Sequence, residues 1–175
     1  MSTFGSVGSS SSEAFHLSWE LFGELCRVLA LRVAEDFEPE LVIGIAKAGV
    51  LPAAVIASIL RVDFHCMKIS RREGGEQVRS EPRLFTSAPR EAAGRRVLLV
   101  DEITTSGDTL RLAISEVRDA GPAEVRTATS FVRPGGYQPD YHALETDGLI
   151  VFPWDRQILA GEELVVHPMY REVVE

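Results

Sequence analysis

The chain has 175 residues, of which 45% are hydrophobic and 25% charged, a size and balance that fit one globular domain with a sizeable core. A formal charge of −8, with no Lys/Arg run outside one loop, argues against a nucleic-acid surface, and no apolar run reaches membrane-spanning length. Cys26 and Cys66 lie in apolar stretches without metal-ligand spacing and read as reduced, buried thiols of a cytoplasmic protein.

Residues 1–14 are Ser/Gly-rich and have almost nothing to bury, so a disordered tail is expected ahead of a single domain over 15–175. A first helix is predicted from an N-cap at Ser18, with Leu21, Leu25, Cys26, Leu29 and Val33 inward, ending before Pro39. Leu41–Ala46 is a buried strand, Lys47-Ala48-Gly49 a turn, and Val50–Leu60 a helix that tolerates Pro52 in its first turn. That helix is apolar nearly all round. It is therefore expected to be covered on every side, by the domain's own sheet or, second, by another subunit. Val62–Ile69 reads as a strand. The stretch 70–93 has no clear period and holds Gly74, Gly75, Pro82 and Pro89, as a long functional or disordered connection does.

Val97–Val100 is continuously apolar, as in a parallel strand covered on both faces, and ends in Asp101 and Glu102. From Thr109 onward, Leu110, Ala113, Ile114 and Val117 recur at helical spacing until Gly121-Pro122. Ala123–Val132 is a strand, Arg133-Pro134-Gly135-Gly136 a turn, and Leu149–Phe152 a last strand. This alternation predicts an α/β protein with a central, mostly parallel sheet flanked by helices. Ligands of such sheets sit beyond the carboxyl ends of the strands, where Lys47, Asp101, Arg133 and Asp155 fall.

The run 97–110, VLLVDEITTSGDTL, carries the chemistry. Thr104, Thr105, Ser106, Gly107 and Thr109 offer backbone N–H groups and hydroxyls at a helix N-terminus, which suits a phosphate. Two acids cannot favour a phosphate; they suit a sugar diol or a hydrated divalent cation. Together they describe a site for a phosphorylated sugar. The alternative is a plain strand–turn–helix with Thr and Ser as caps. His16, His65, His142 and His167 are scattered without zinc spacing.

On these fourteen positions the sequence resembles the phosphoribosyl pyrophosphate (PRPP) signature of type I phosphoribosyltransferases, nearest the xanthine–guanine and hypoxanthine (purine) enzymes. The resemblance implies a Rossmann-like fold with a small hood and a flexible loop. It also implies Mg²⁺-dependent transfer of 5-phosphoribose from PRPP to a nucleobase, with release of pyrophosphate, by a cytoplasmic homodimer. Asp101 and Glu102 would hold the ribose hydroxyls and Mg²⁺, and the residues from Thr104 to Gly107 with Thr109 the 5′-phosphate. Lys47, Ala48 and Gly49 resemble the pyrophosphate loop, with Ala48 replacing a usual glycine. A solvated turn residue is the alternative for Lys47, whose position between a buried strand and a buried helix favours the site.

Arg71 and Arg72, with Arg79 and Arg83, resemble the mobile loop that closes over the leaving pyrophosphate. Glu73, Glu76 and Glu81 are interleaved, so a solvated, salt-bridged loop competes with that reading. Arg133 stands where a lysine contacts the oxygen of 6-oxopurines. Leu149 and Ile150 match a base-contacting segment or, equally, a core strand, and Asp155 matches a residue that helps hold a second metal. Trp154 reads as core or subunit contact. Thr105 replaces an aspartate thought to take the proton from the base, and threonine is no base near neutral pH. A non-catalytic PRPP or nucleotide sensor, or a transferase for another base, stays open.

Overall fold

The computed structural model describes residues 14–73 and 77–174. The expected tail over 1–14, Ala14 apart, and Gly74, Gly75 and Glu76 lie outside the described residues. The chain forms two units, one of Phe22–Thr146 and a smaller one of Met1–Leu21 with Asp147–Glu175.

In the larger unit, helix α1 (Trp19–Asp36) follows a cap in which the Leu21 N–H donates to Ser18 Oγ at 3.1 Å. Strand β2 (Leu41–Ala46) leads through the Lys47 turn into α2 (Val50–Leu60), then β3 (Asp63–Glu73) and β4 (Gln77–Thr86). Strand β5 (Arg96–Thr104), helix α3 (Asp108–Asp119), β6 (Glu124–Val132) and β7 (Tyr141–Glu145) complete the unit. The sheet order is β4-β3-β2-β5-β6-β7, parallel throughout except for β4, which runs antiparallel to β3. The central strands are almost wholly apolar because both their faces are covered. Leu41, Ile43, Met67, Val97 and Leu99 share one face with Leu110, Ala113 and Val117 of α3. On β2, Gly44 permits the close approach of α2: a Cβ there would lie 2.8 Å from Ala53 Cβ. At the sheet's other end, Tyr141 Oη donates to Asp36 Oδ1 at 2.6 Å and Arg126 Nη1 donates to both Tyr141 Oη and Asp36 Oδ2, tying α1 to β6 and β7.

The chain leaves β2 toward β3 on one side and leaves β5 toward β6 on the other. A crevice is therefore forced open beyond the carboxyl ends of this adjacent pair.

Several expectations need correction. The stretch 70–93 is largely an antiparallel ribbon, since β3 runs on to Glu73 and β4 pairs with it, with a bulge between Lys68 and Ile69. Alternating charge hid this edge strand, and its Pro82 is tolerated because an edge has an unpaired side. Leu21 points outward and Phe22 takes its buried place. Cys26 is buried, and burial pushes its thiol up to about 12, but Cys66 is exposed on β3. Helix α2 buries only Pro52, Ala53, Ile56 and Ala57, and leaves Ile59 44% exposed.

In the smaller unit, the last strand shrinks to β8 (Ile150–Val151) and is not part of the central sheet. It pairs in parallel with β1 (Phe15–His16). Strands β9 (Gln157–Ala160) and β10 (Glu163–Val166) form a hairpin, followed by the short helix α4 (Arg171–Val174). Trp154 stacks on Phe152 and tilts against Trp19, as a structural residue does.

Candidate active site

The crevice between β2 and β5 holds two adjoining clefts of about 280 and 170 Å³. The larger is lined by Lys47 and Ala48 from the turn after β2, by Ser70 and Arg71 from the ribbon, and by Asp101, Glu102 and Thr109. The smaller is lined by the residues from Thr104 to Thr109, again with Arg71 and Asp101. Ten of the positions singled out in the sequence thus meet at one place, because adjacent parallel strands end together there.

Asp101 lies within β5, which runs three residues past it to Thr104 rather than ending at the two acids as expected, and it is 8% exposed. Its Oδ1 accepts the Glu102 N–H at 2.9 Å. Burial raises its carboxyl well above the usual carboxylate range, and the neighbouring Glu102 charge adds to the rise. A buried acid beside a second acid, with no cation in bonding contact among the described residues, is an arrangement waiting for a positive charge or a hydroxyl donor.

Gly49 is missing from the cleft walls because it lies beneath them. A Cβ there would sit 2.6 Å from Ile45 O and 2.7 Å from Asp101 Oδ1, so only glycine lets the Lys47 turn seat against Asp101. The loop after β5 is held from outside by the turn that follows β6. Arg133 N–H donates to Thr104 O at 3.3 Å and Tyr137 N–H to Thr105 O at 2.9 Å. Gly107 starts α3 with φ 80°, and the Tyr137 ring covers it so closely that a Cβ would lie 2.3 Å from Cγ. Tyr137 escaped sequence reasoning because nothing in its spacing marks it. A Gly107→Ala variant is expected to raise KM for the phosphorylated ligand about tenfold, from the strained φ and the displaced Tyr137, with kcat changing less. Steady-state kinetics with a melting curve checks this.

Asp108 has a fuller role than the helix-dipole partner its position implies. Its Oδ2 accepts Ser106 Oγ–H at 2.7 Å and Arg71 Nη2 at 2.5 Å, and its Oδ1 accepts Arg111 Nη1 at 3.1 Å. The Ser106 hydroxyl and the two guanidiniums hold its carboxyl below the usual range. Arg71 is therefore paired across the crevice, to α3.

Arg133 lines neither cleft. Arg133 Nη1 donates to Thr146 O at 3.0 Å. Leu149, Ile150 and Asp155 belong to the smaller unit, where Asp155 Oδ2 accepts Tyr170 Oη–H at 3.4 Å. The Arg72 side chain lies outside the described residues.

A threonine-rich cradle beside paired acids at the switch point of a parallel sheet defines a sugar-phosphate-binding α/β protein. The sequence profile of the phosphoribosyl transferase domain matches residues 17–160, and the chain belongs to that family. It is 32% identical over 163 residues to the xanthine-guanine phosphoribosyltransferase of Nitratidesulfovibrio vulgaris (strain DP4), spanning 89% of this chain and 93% of the relative. It is 27% identical over 166 residues to the enzyme of that name from Idiomarina loihiensis, spanning 90% and 99%. The crystal structure of purine phosphoribosyltransferase from Pyrococcus horikoshii superposes with a TM-score of 0.73 at 25% identity, over 85% of this chain and 98% of the other.

Proposed function

We propose that this chain is a cytoplasmic purine-salvage enzyme that transfers 5-phosphoribose from PRPP to a 6-oxopurine and releases pyrophosphate. The observation that carries the reading is the buried Asp101, with Glu102, directly beside the Thr104–Thr109 cradle. The relatives' names favour hypoxanthine, guanine or xanthine as acceptor.

In this reading the loop's N–H groups and hydroxyls hold the 5′-phosphate and fix the sugar at the end of β5. Asp101 and Glu102 accept hydrogen bonds from the ribose hydroxyls and stabilise positive charge growing on the ring as the bond to pyrophosphate breaks. Lys47 and the ribbon's arginines meet the negative charge growing on the leaving group. By resemblance, Arg133, Leu149 and Ile150 are assigned to the base.

The acids also fit Mg²⁺. Among the described residues no cluster of three or more acidic, His or Cys ligands exists. Two carboxylates suit an ion that keeps several waters and takes its remaining oxygens from substrate phosphates. Magnesium would supply charge neutralisation of the pyrophosphate, with Asp101 and Glu102 holding it; by resemblance, Asp155 would help hold a second metal.

Incubating the protein with PRPP, Mg²⁺ and each common purine and pyrimidine, with product mass as the readout, tests the proposal. Nucleotides from 6-oxopurines alone are expected. Product from adenine or a pyrimidine instead overturns the acceptor. Tight PRPP binding without pyrophosphate release for any base makes the chain a sensor.

A homodimer through α2 is part of the same proposal. No described helix is long and apolar enough to cross a membrane, and α2 leaves an apolar side with Ile59 exposed in a lone chain. Ile59→Glu is expected to convert the dimer to a monomer in sedimentation equilibrium; an unchanged mass rejects this contact.

A further inference from the structure

The smaller cleft is lined by the neutral donors of the loop and by two acids, Asp101 and Asp108, and a 5′-phosphate near neutral pH is close to a dianion. Among the described residues that line this cleft, Arg71 is the only cation. It reaches the cradle from the ribbon, 35 positions earlier in the chain than Ser106. Its Nη2 stands 3.2 Å from Ser106 Oγ and 2.5 Å from Asp108 Oδ2. Ser106 Oγ–H donates to that same carboxylate oxygen at 2.7 Å. A charged and a neutral donor thus converge on one anionic oxygen, as donors converge on an oxygen of a bound phosphate.

We propose that Arg71 and the Ser106 hydroxyl are ligands of the 5′-phosphate, and that the Asp108 carboxylate holds both of them until the incoming phosphate takes its place. The inference rests on the phosphate-cradle reading above and assigns Arg71 to the sugar's phosphate, apart from the other ribbon arginines and the leaving pyrophosphate. Arg111 makes the exchange feasible. Its Nη1 is held by Ser106 O at 2.8 Å and reaches Asp108 Oδ1 at 3.1 Å, and its guanidinium lies over the Tyr137 ring. The displaced carboxylate keeps this partner, so it is not left uncompensated. The acid nevertheless opposes a dianion at the same spot. The two residues must therefore affect binding with opposite sign, which a purely structural ion pair does not do.

The test is calorimetric titration of the full chain with ribose 5-phosphate, a probe that carries neither pyrophosphate nor base, and separately with magnesium pyrophosphate at the same ionic strength. Arg71→Gln is expected to weaken ribose 5-phosphate about tenfold while pyrophosphate stays within about twofold. Asp108→Asn is expected to tighten ribose 5-phosphate about threefold, and Arg71→Lys to recover part of the lost affinity. Melting curves identify a variant that fails to fold, and Arg71→Lys with Asp108→Asn then carry the test. Loss of pyrophosphate affinity in Arg71→Gln with ribose 5-phosphate unaffected overturns the proposal. So does weaker ribose 5-phosphate binding in Asp108→Asn, or no binding of that probe to the unaltered chain. Ribose 5-phosphate binding with these opposed shifts, but no turnover of PRPP with any base, removes the transferase reading and leaves this inference standing.

Discussion

Replacing Asp101 by Asn and Glu102 by Gln together is expected to lower kcat/KM for phosphoribosyl transfer about a thousandfold and yet raise the melting temperature of the ligand-free protein by roughly 2–4 °C. The loss follows from geometry. These acids lie near the carboxyl end of β5 at the floor of the crevice, and among the described residues no other carboxylate except Asp108, already satisfied by Ser106 and two arginines, lines either cleft. The gain follows from electrostatics. Asp101 is buried next to a like charge and has no cation against it among the described residues, so its ionised form opposes folding. Because its folded-state affinity for a proton exceeds the unfolded one, its contribution favours folding at low pH and fades as pH rises beyond the ordinary carboxylate range. The double variant lacks that slope. Initial rates at saturating Mg²⁺ and scanning calorimetry across pH measure both effects, and near-normal turnover would remove the acids from the mechanism. A residue pair that weakens the fold while enabling the chemistry marks a functional site.

Gly49→Ala is expected to reduce kcat/KM about a hundredfold with little change in overall secondary structure. The added methyl meets Ile45 O at 2.6 Å, Asp101 Oδ1 at 2.7 Å and Asp101 Cα at 2.8 Å. Two of these belong to buried strands that cannot yield, so the Lys47 turn must lift away from Asp101. Neighbouring Ala48 lines the cleft, so a methyl at that position meets open space rather than the strands beneath. Gly23→Ala is the control. Nothing lies within 4 Å of a Cβ there, and in α1 the change should stabilise by about 0.5–1 kcal/mol without touching kinetics. Wild-type rates in Gly49→Ala would show that the turn tolerates displacement.

The middle of the fold was legible because its signals are local and strong. LVIGIA and VLLV are buried on both faces, so they read as uninterrupted apolar runs. The bounds of β2 and α2 coincide with the predicted ones, and Gly121, with φ 74°, stops α3 as expected. The periphery was not legible. In β4 only Val78, Leu84 and Phe85 are strongly apolar, interleaved with charge and Pro82, because one long side of that strand is free. β7, β9 and β10 are four or five residues long, too short to establish a period. On α1, adjacent Leu21 and Phe22 compete for one inward position, and pattern alone chose the wrong one.

At the site, the acids and the cradle were legible since each is contiguous in sequence. The Arg71–Asp108 pair was not, because it joins positions 37 apart through a ribbon that carried no strand signal. Tyr137 was missed for the same reason: its tie to Thr105 exists only once β5 and β6 lie side by side.

The register of β2 against β5, with Gly44 opposite Val100, fixes the spacing of the two loops that leave their ends. The phosphate cradle and the Lys47 turn are in effect cast into a fully buried seam of the sheet. A change of sugar donor would require recasting that seam and with it the hydrophobic interior. Diversification toward new acceptors is confined to segments outside this ladder, where substitutions leave donor handling intact.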